Sequence, residues 1–173
     1  TKKLSALGIG SYSLSSFILL GFTEELFKFL SIYLVFRKSP RLKEPLDAMI
    51  YAITGALGFA AVENIASLFQ IAQGSVFNIA ILESLSLRFV GATLLHSLAS
   101  GLVGYFWGLS FLRPERRSIL LAQGVLTATI LHAVFNFLII ESGPASLAIV
   151  FLIFFAFFLL SDFEDLKRLD TAT

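Results

Sequence analysis

The chain has no cysteine, which excludes a disulfide framework and any thiolate metal site. Charge is scarce as well. Asp, Glu, Lys and Arg make up 14% of the 173 residues and nearly cancel to +1, where soluble domains carry roughly 25% charged residues. So even a balance leaves no basic footprint for a phosphate backbone, and no nucleic-acid partner is expected. The soluble zincin pattern H-E-x-x-H is missing, and the only histidines, His96 and His132, stand far apart. All four prolines fall in short polar breaks, so nothing interrupts the apolar stretches between them.

Apolar residues are what the chain has in plenty. They form 57% of it, 19 of them Phe, with a mean hydropathy of +0.86, a composition that belongs in lipid. Apolar runs cover residues 14–36, 46–71, 85–112, 119–140 and 145–160. Each is about long enough to cross ~30 Å of hydrocarbon at ~1.5 Å per residue. The expectation is an all-α, multi-pass transmembrane helix bundle of about five spans, forming a single helical domain over residues 1–173. The last run is the shortest and is expected to tilt or to lie partly in the interface. Residues 4–13 either lengthen the first helix or end an element upstream. The start "TKKLSALGIG" has no Met and no small-residue cleavage site behind a short apolar core. It reads as a trimmed N-terminus rather than a signal peptide.

Turn residues mark the breaks: "RKSPRLKEP", "AQGSVFN", "RPERR" and "ESGP". Their charges alternate. Arg37, Lys38, Arg41 and Lys43 lie in the first connection, Arg113, Arg116 and Arg117 in the third, and Lys167 and Arg168 after the fifth run, while the second and fourth connections have no Lys or Arg. By the positive-inside rule the first and third connections and the C-terminus are cytoplasmic. Lys2 and Lys3 fall on the outer side in this scheme and run against it. The expected location is the cell membrane.

Against this apolar background, "LLGFTEELFKFLSIYLVF" (residues 19–36) carries Glu24, Glu25 and Lys28 in mid-span, where one charge costs roughly 2.5–3.5 kcal/mol on insertion scales. Counting along the runs places Glu24 and Glu25, Glu63, His96 and His132 between ~18 and ~25 Å from the cytoplasmic end of their helices. Four helices thus bring an acid or an imidazole to one layer, where mutual burial offsets the insertion cost. Two His and a Glu are the ligand types of a catalytic zinc site with an open fourth position. On this reading Glu63, His96 and His132 are the ligands, and Glu24 or Glu25 is the base that deprotonates the attacking water. Lys28 is i+4 from Glu24 and i+3 from Glu25, so it can pair with either and leave the other facing the site. Asn64 and Asn136 are candidate oxyanion donors or interhelical hydrogen-bonding groups. The same residues can also activate water without a metal. A proton- or cation-coupled carrier, in which Glu and His form a relay, is the alternative from a different class. It calls for broken helices and a path through both faces. A structural or sensor subunit leaves the histidines without work.

"EELFK" (24–28) matches E-E-x-x-K, "FAAVEN" (59–64) matches F-x-x-x-E-N, and "HSLASG" (96–101) and "HAVFN" (132–136) supply two histidine motifs. In their order and their placement on successive spans, these resemble the PrsW family of intramembrane proteases. That family is related to the CAAX prenyl endopeptidases and bacteriocin-processing enzymes, which carry E-E-x-x-x-R and F-x-x-x-H in these places. The resemblance covers roughly residues 19–140. It implies a helical membrane protease that cuts a membrane-anchored protein, an anti-sigma factor in the best-known members. It also implies that Glu24 and Glu25 are the essential acidic pair, Glu63 the second-motif acid, and His96 and His132 the catalytic histidines. The related endopeptidases have His where this chain has Glu63, which bears on whether zinc or a glutamate alone drives the chemistry. Fewer spans precede E-E than the full family pattern has, in keeping with a trimmed N-terminus.

Overall fold

The computed structural model describes residues 14–74, 79–141 and 145–171; Lys2, Lys3 and the 4–13 stretch lie outside them. Among the described residues five α-helices follow one another: α1 (Leu14–Phe36), α2 (Pro45–Gly74), α3 (Ile79–Leu112), α4 (Arg117–Glu141) and α5 (Ala145–Thr171), with a 3-10 turn at Pro114–Arg116 leading into α4. No strand occurs among the described residues. Proline starts both α2 and the 3-10 turn, where its missing N–H costs nothing. Asp47 accepts backbone N–H bonds from Lys43 and Glu44 at 2.9 and 3.0 Å, capping the entry to α2.

Stretches of α2, α3, α4 and α5 are long and apolar enough to cross a membrane. At 23 residues, α1 is also long enough, about 35 Å, but its three mid-helix charges set it apart from the others. The protein is therefore a multi-pass membrane protein with an all-α bundle. The last apolar run belongs to a longer helix, because α5 continues through the polar tail "SDFEDLKRLD" to 27 residues.

Lipid gives helices no hydrophobic reason to associate, so close packing must hold them together. The central helix is α3, which touches all four others. Its Leu95, Leu98, Ala99, Val103 and Trp107 form the core with Phe29 of α1, Ala48 of α2, Val125, Ala128, Leu131 and Phe135 of α4, and Ala148 and Leu152 of α5. Gly104 lets α3 lie against α2 so closely that a Cβ there would stand 2.6 Å from the Met49 Cα. On the other side, α1 packs mainly on α4 and meets α2 less extensively. Phe154, Phe157 and Phe158 of α5 face outward, as lipid-facing residues do.

Candidate active site

The site begins with a glycine. Gly21 of α1 lies against His132 and Thr129 of α4, its missing Cβ leaving 3.3 Å to the His132 Cβ. With the two helices this close, the adjacent residues Glu24 and Glu25 both reach His132, one on each ring nitrogen. Glu25 Oε1 is 2.7 Å from His132 Nδ1, and Glu24 Oε2 is 3.5 Å from His132 Nε2. Lys28, one turn on, donates to Glu25 Oε1 at 2.6 Å and also meets His96 Nδ1 at 3.0 Å. Of the two pairings open in the sequence, Lys28 takes Glu25 and leaves Glu24 for the cavity.

From α2, Glu63 Oε2 reaches His96 Nε2 at 2.7 Å. The imidazoles of His96 and His132 meet with ring centroids 5.4 Å apart, and Phe59 lies edge-on to His96 at 5.1 Å. Glu25, Lys28, His96 and His132 are all buried, whereas the side chains of Glu24 and Glu63 are 24% and 39% exposed. The cluster therefore has an inner half of mutually paired charges and an outer half of two carboxylates facing open space. Burying an ion pair is tolerable only when hydrogen bonds satisfy it. Here Glu25 Oε1 accepts from two partners, while its Oε2 has none.

Proton positions follow from the network. A carboxylate only accepts, so His132 Nδ1 carries hydrogen towards Glu25 and Nε2 turns its lone pair towards Glu24 and the cavity. A histidine ligand backed by a carboxylate has this arrangement. At His96 the lysine donates to Nδ1, so Nε2 is the nitrogen open to a metal; without one it carries hydrogen towards Glu63, and a metal bound there would displace that proton.

Glu24, His96 and His132 each offer a ligand atom, and these atoms lie within 4.8 Å of one another. A carboxylate with two imidazoles is a donor set of the kind that holds catalytic zinc with one position open, so the residues present fit a metal ion. By ligand type and depth in the sequence, Glu63 belongs to that set. The grouping in the structure has Glu24 instead, with Glu63 one hydrogen bond away on His96.

The cluster opens on a cavity of about 280 Å³ bordered by Phe17, Leu20, Leu95, Phe135, Asn136 and Ile139 besides Glu24, Glu63 and the histidines. Asn136 thus borders the same cavity as Glu24, Glu63 and the histidines. Asn64 does not: its amide donates to Thr93 Oγ1 at 3.1 Å and ties α2 to α3. Beneath the cluster, Phe29, Tyr33 and Trp107 pack ring against ring, with centroids 5.2 to 6.0 Å apart. Only a water-sized void of about 10 Å³ lies among Phe29, Ile32, Ser100 and Trp107. The sequence motifs include Phe59, in F-x-x-x-E-N, without showing its contact with His96, and they give no role to Gly21 or to this aromatic floor. Spacing held a signal for two of them, since Gly21 is one turn before Glu25 and Phe59 one turn before Glu63. The floor shows no pattern in the sequence.

A helical membrane bundle with two imidazoles and two carboxylates around one open cavity, and a third carboxylate buried behind them, is a polytopic protein with a group that could hold a metal. The family described as PrsW family intramembrane metalloprotease matches residues 3–161, and the chain belongs to it. Protease PrsW of Shouchella clausii is 29% identical over 128 residues, 74% of this chain and 55% of the relative. Protease PrsW of Halalkalibacterium halodurans is 28% identical over 123 residues, 71% and 53%. Protease PrsW of Oceanobacillus iheyensis is 25% identical over 169 residues, 98% and 74%. The chain spans about half the length of the first two of these curated relatives. No solved structure matches it.

Proposed function

We propose that residues 1–173 form a single intramembrane endopeptidase domain that hydrolyses a peptide bond of a membrane-anchored protein. The observation that carries this is the grouping of Glu24, His96 and His132 at the wall of one open cavity. These three residues would hold the metal, zinc by its ligand preference. Zinc there would supply Lewis acidity to the scissile carbonyl and to the attacking water.

The protein's own groups do the rest. Glu63 faces the cavity and accepts the proton of the water as its oxygen bonds to the carbonyl carbon. It then hands that proton to the amine as the C–N bond breaks. Glu25 holds the His132 ring by Nδ1, and Lys28 ties Glu25 to His96. Asn136 is within the cavity wall to donate to the developing oxyanion. The substrate must be unwound at the cut, because an intact helix engages its carbonyls in its own hydrogen bonds. An anti-sigma-factor-like protein is the substrate class suggested by the family resemblance. The charge alternation of the connections supports a cytoplasmic C-terminus.

The carrier reading has less support. A carrier alternates access through both faces, and the packed rings of Phe29, Tyr33 and Trp107 lie across the way under the site. The test is cleavage of a single-pass membrane substrate in proteoliposomes. Glu63→Gln and His132→Ala, made separately, should each slow it about 10²-fold or more, and metal content should fall in His96→Ala. Cleavage at the wild-type rate by both would overturn the assignment.

A further inference from the structure

We infer that the cleft between α1 and α2 is the doorway through which the membrane-spanning segment of the substrate reaches the site from the side. The inference rests on the peptidase reading above and adds where the substrate enters.

The two helices diverge in steps of about one turn. At the end joined by residues 37–44, the ring of Phe36 stacks on Tyr51 with centroids 4.2 Å apart and planes 10° off parallel. Next, Ile32 lies against Gly55 so closely that a Cβ there would stand 2.5 Å from its Cδ1. Then Lys28 Nζ stands 5.3 Å from the centre of the Phe59 ring. One turn further, Glu24 and Glu63 both border the catalytic cavity. Contact gives way to a gap as the helices approach the level of the histidines.

That gap has a mouth. A recess of about 160 Å³ lies between the helices, lined by Phe27, Lys28, Ser31, Ile32, Gly55 and Phe59. Lys28 and Phe59 are also the residues one turn from Glu24 and Glu63, so mouth and cavity adjoin along both helices. The other interfaces near the cluster are shut among the described residues. Gly21 closes α1 on His132 of α4, Gly91 of α3 meets Phe135 of α4, and Asn64 is bonded to Thr93 between α2 and α3.

The rim suits a passing helix. Ser31 is exposed, but its hydroxyl is spent on its own helix, donating to Phe27 O at 2.8 Å. The rim therefore presents small groups that need no partner, a surface on which a helix in lipid can approach closely. Phe27, 63% exposed, stands at its edge. A membrane-anchored substrate arrives in the plane of the bilayer, and this cleft is the lateral route at the depth of the histidines. A lipid chain would fit the recess but has no use for a path leading to Lys28 and two carboxylates.

The absence of native cysteine allows a plug to be fitted after folding. In Ser31→Cys protein, the thiol is left free, capped with a methylthio group, or capped with a bulky aromatic thiol reagent. Two probes are compared: a single-pass membrane reporter that wild-type protein cleaves in proteoliposomes, and a short soluble peptide bearing the same scissile bond. The bulky cap should slow reporter cleavage about tenfold or more, with a raised KM, and leave peptide cleavage within about twofold, as expected of a gate. The free thiol and the methylthio cap should act as wild type on both. Reporter cleavage unchanged under the bulky cap overturns the doorway and leaves the peptidase reading standing. Equal slowing of both probes also overturns it, making the recess a lipid seat or water path. Wild-type protein that cleaves neither probe sinks the peptidase reading and the doorway with it.

Discussion

Glu24 and Glu25 are neighbours in sequence with opposite environments. Glu25 is wholly buried and shares one oxygen between Lys28 and His132, while Glu24 turns a partly open carboxylate to the cavity. Their neutral variants should therefore fail differently. Glu25→Gln strands a buried ammonium and should cost about 3–5 kcal/mol of stability as well as activity. Glu24→Gln should lose metal and activity with stability changed by less than about 1 kcal/mol. Chemical unfolding in detergent together with metal analysis separates the two outcomes. Equal stability of the two variants would contradict the division of labour. The sequence alone could not decide which acid pairs with Lys28, because i+3 and i+4 both reach it. The contact of Gly21 on α4, which turns α1 about its axis, decides it. Counting residues likewise puts Glu63 at the height of the histidines, which suggests a ligand, but gives no direction around the helix.

At the scale of the element, small residues set how close the helices come. Gly104→Ala would push a methyl into the backbone of Met49 and should destabilise by about 1–3 kcal/mol. Gly58 sits in the middle of α2, and a Cβ there meets nothing within 4 Å. Gly58→Ala should therefore stabilise by about 0.5–1 kcal/mol through helix propensity. The unfolding midpoints of the two variants should move in opposite directions, and a shared direction would mean that α2 and α3 are packed differently. The helices themselves were plain in the sequence. Uninterrupted apolar runs and prolines confined to breaks put four of the five close to their observed positions. The apolar run ends at residue 160 while α5 continues to Thr171, since hydropathy reports lipid contact and not helicity.

For the whole molecule, the charged connections 37–44 and 113–116 lie where α1 and α3 end and α2 and α4 begin, so both belong to one side of the bundle. In the cysteine-free chain, Lys38→Cys and Glu115→Cys should both react with an impermeant thiol reagent only after the cytoplasmic side is opened. Labelling of either from outside would invert the topology. What the sequence could not convey is the one-ended shape of the site. The layer of acids and imidazoles follows from counting, but the floor of Phe29, Tyr33 and Trp107 comes from α1 and α3 meeting in space. That floor separates a reaction chamber from a relay.

The most direct measurement is the rate at which purified protein in proteoliposomes cuts a single-pass membrane substrate, wild type beside a Glu24→Gln variant matched in fold and amount. The expected result is cleavage by the wild type and a loss of about 10²-fold or more in the variant. Equal rates in the two proteins would mean that Glu24, His96 and His132 do not form the reacting centre.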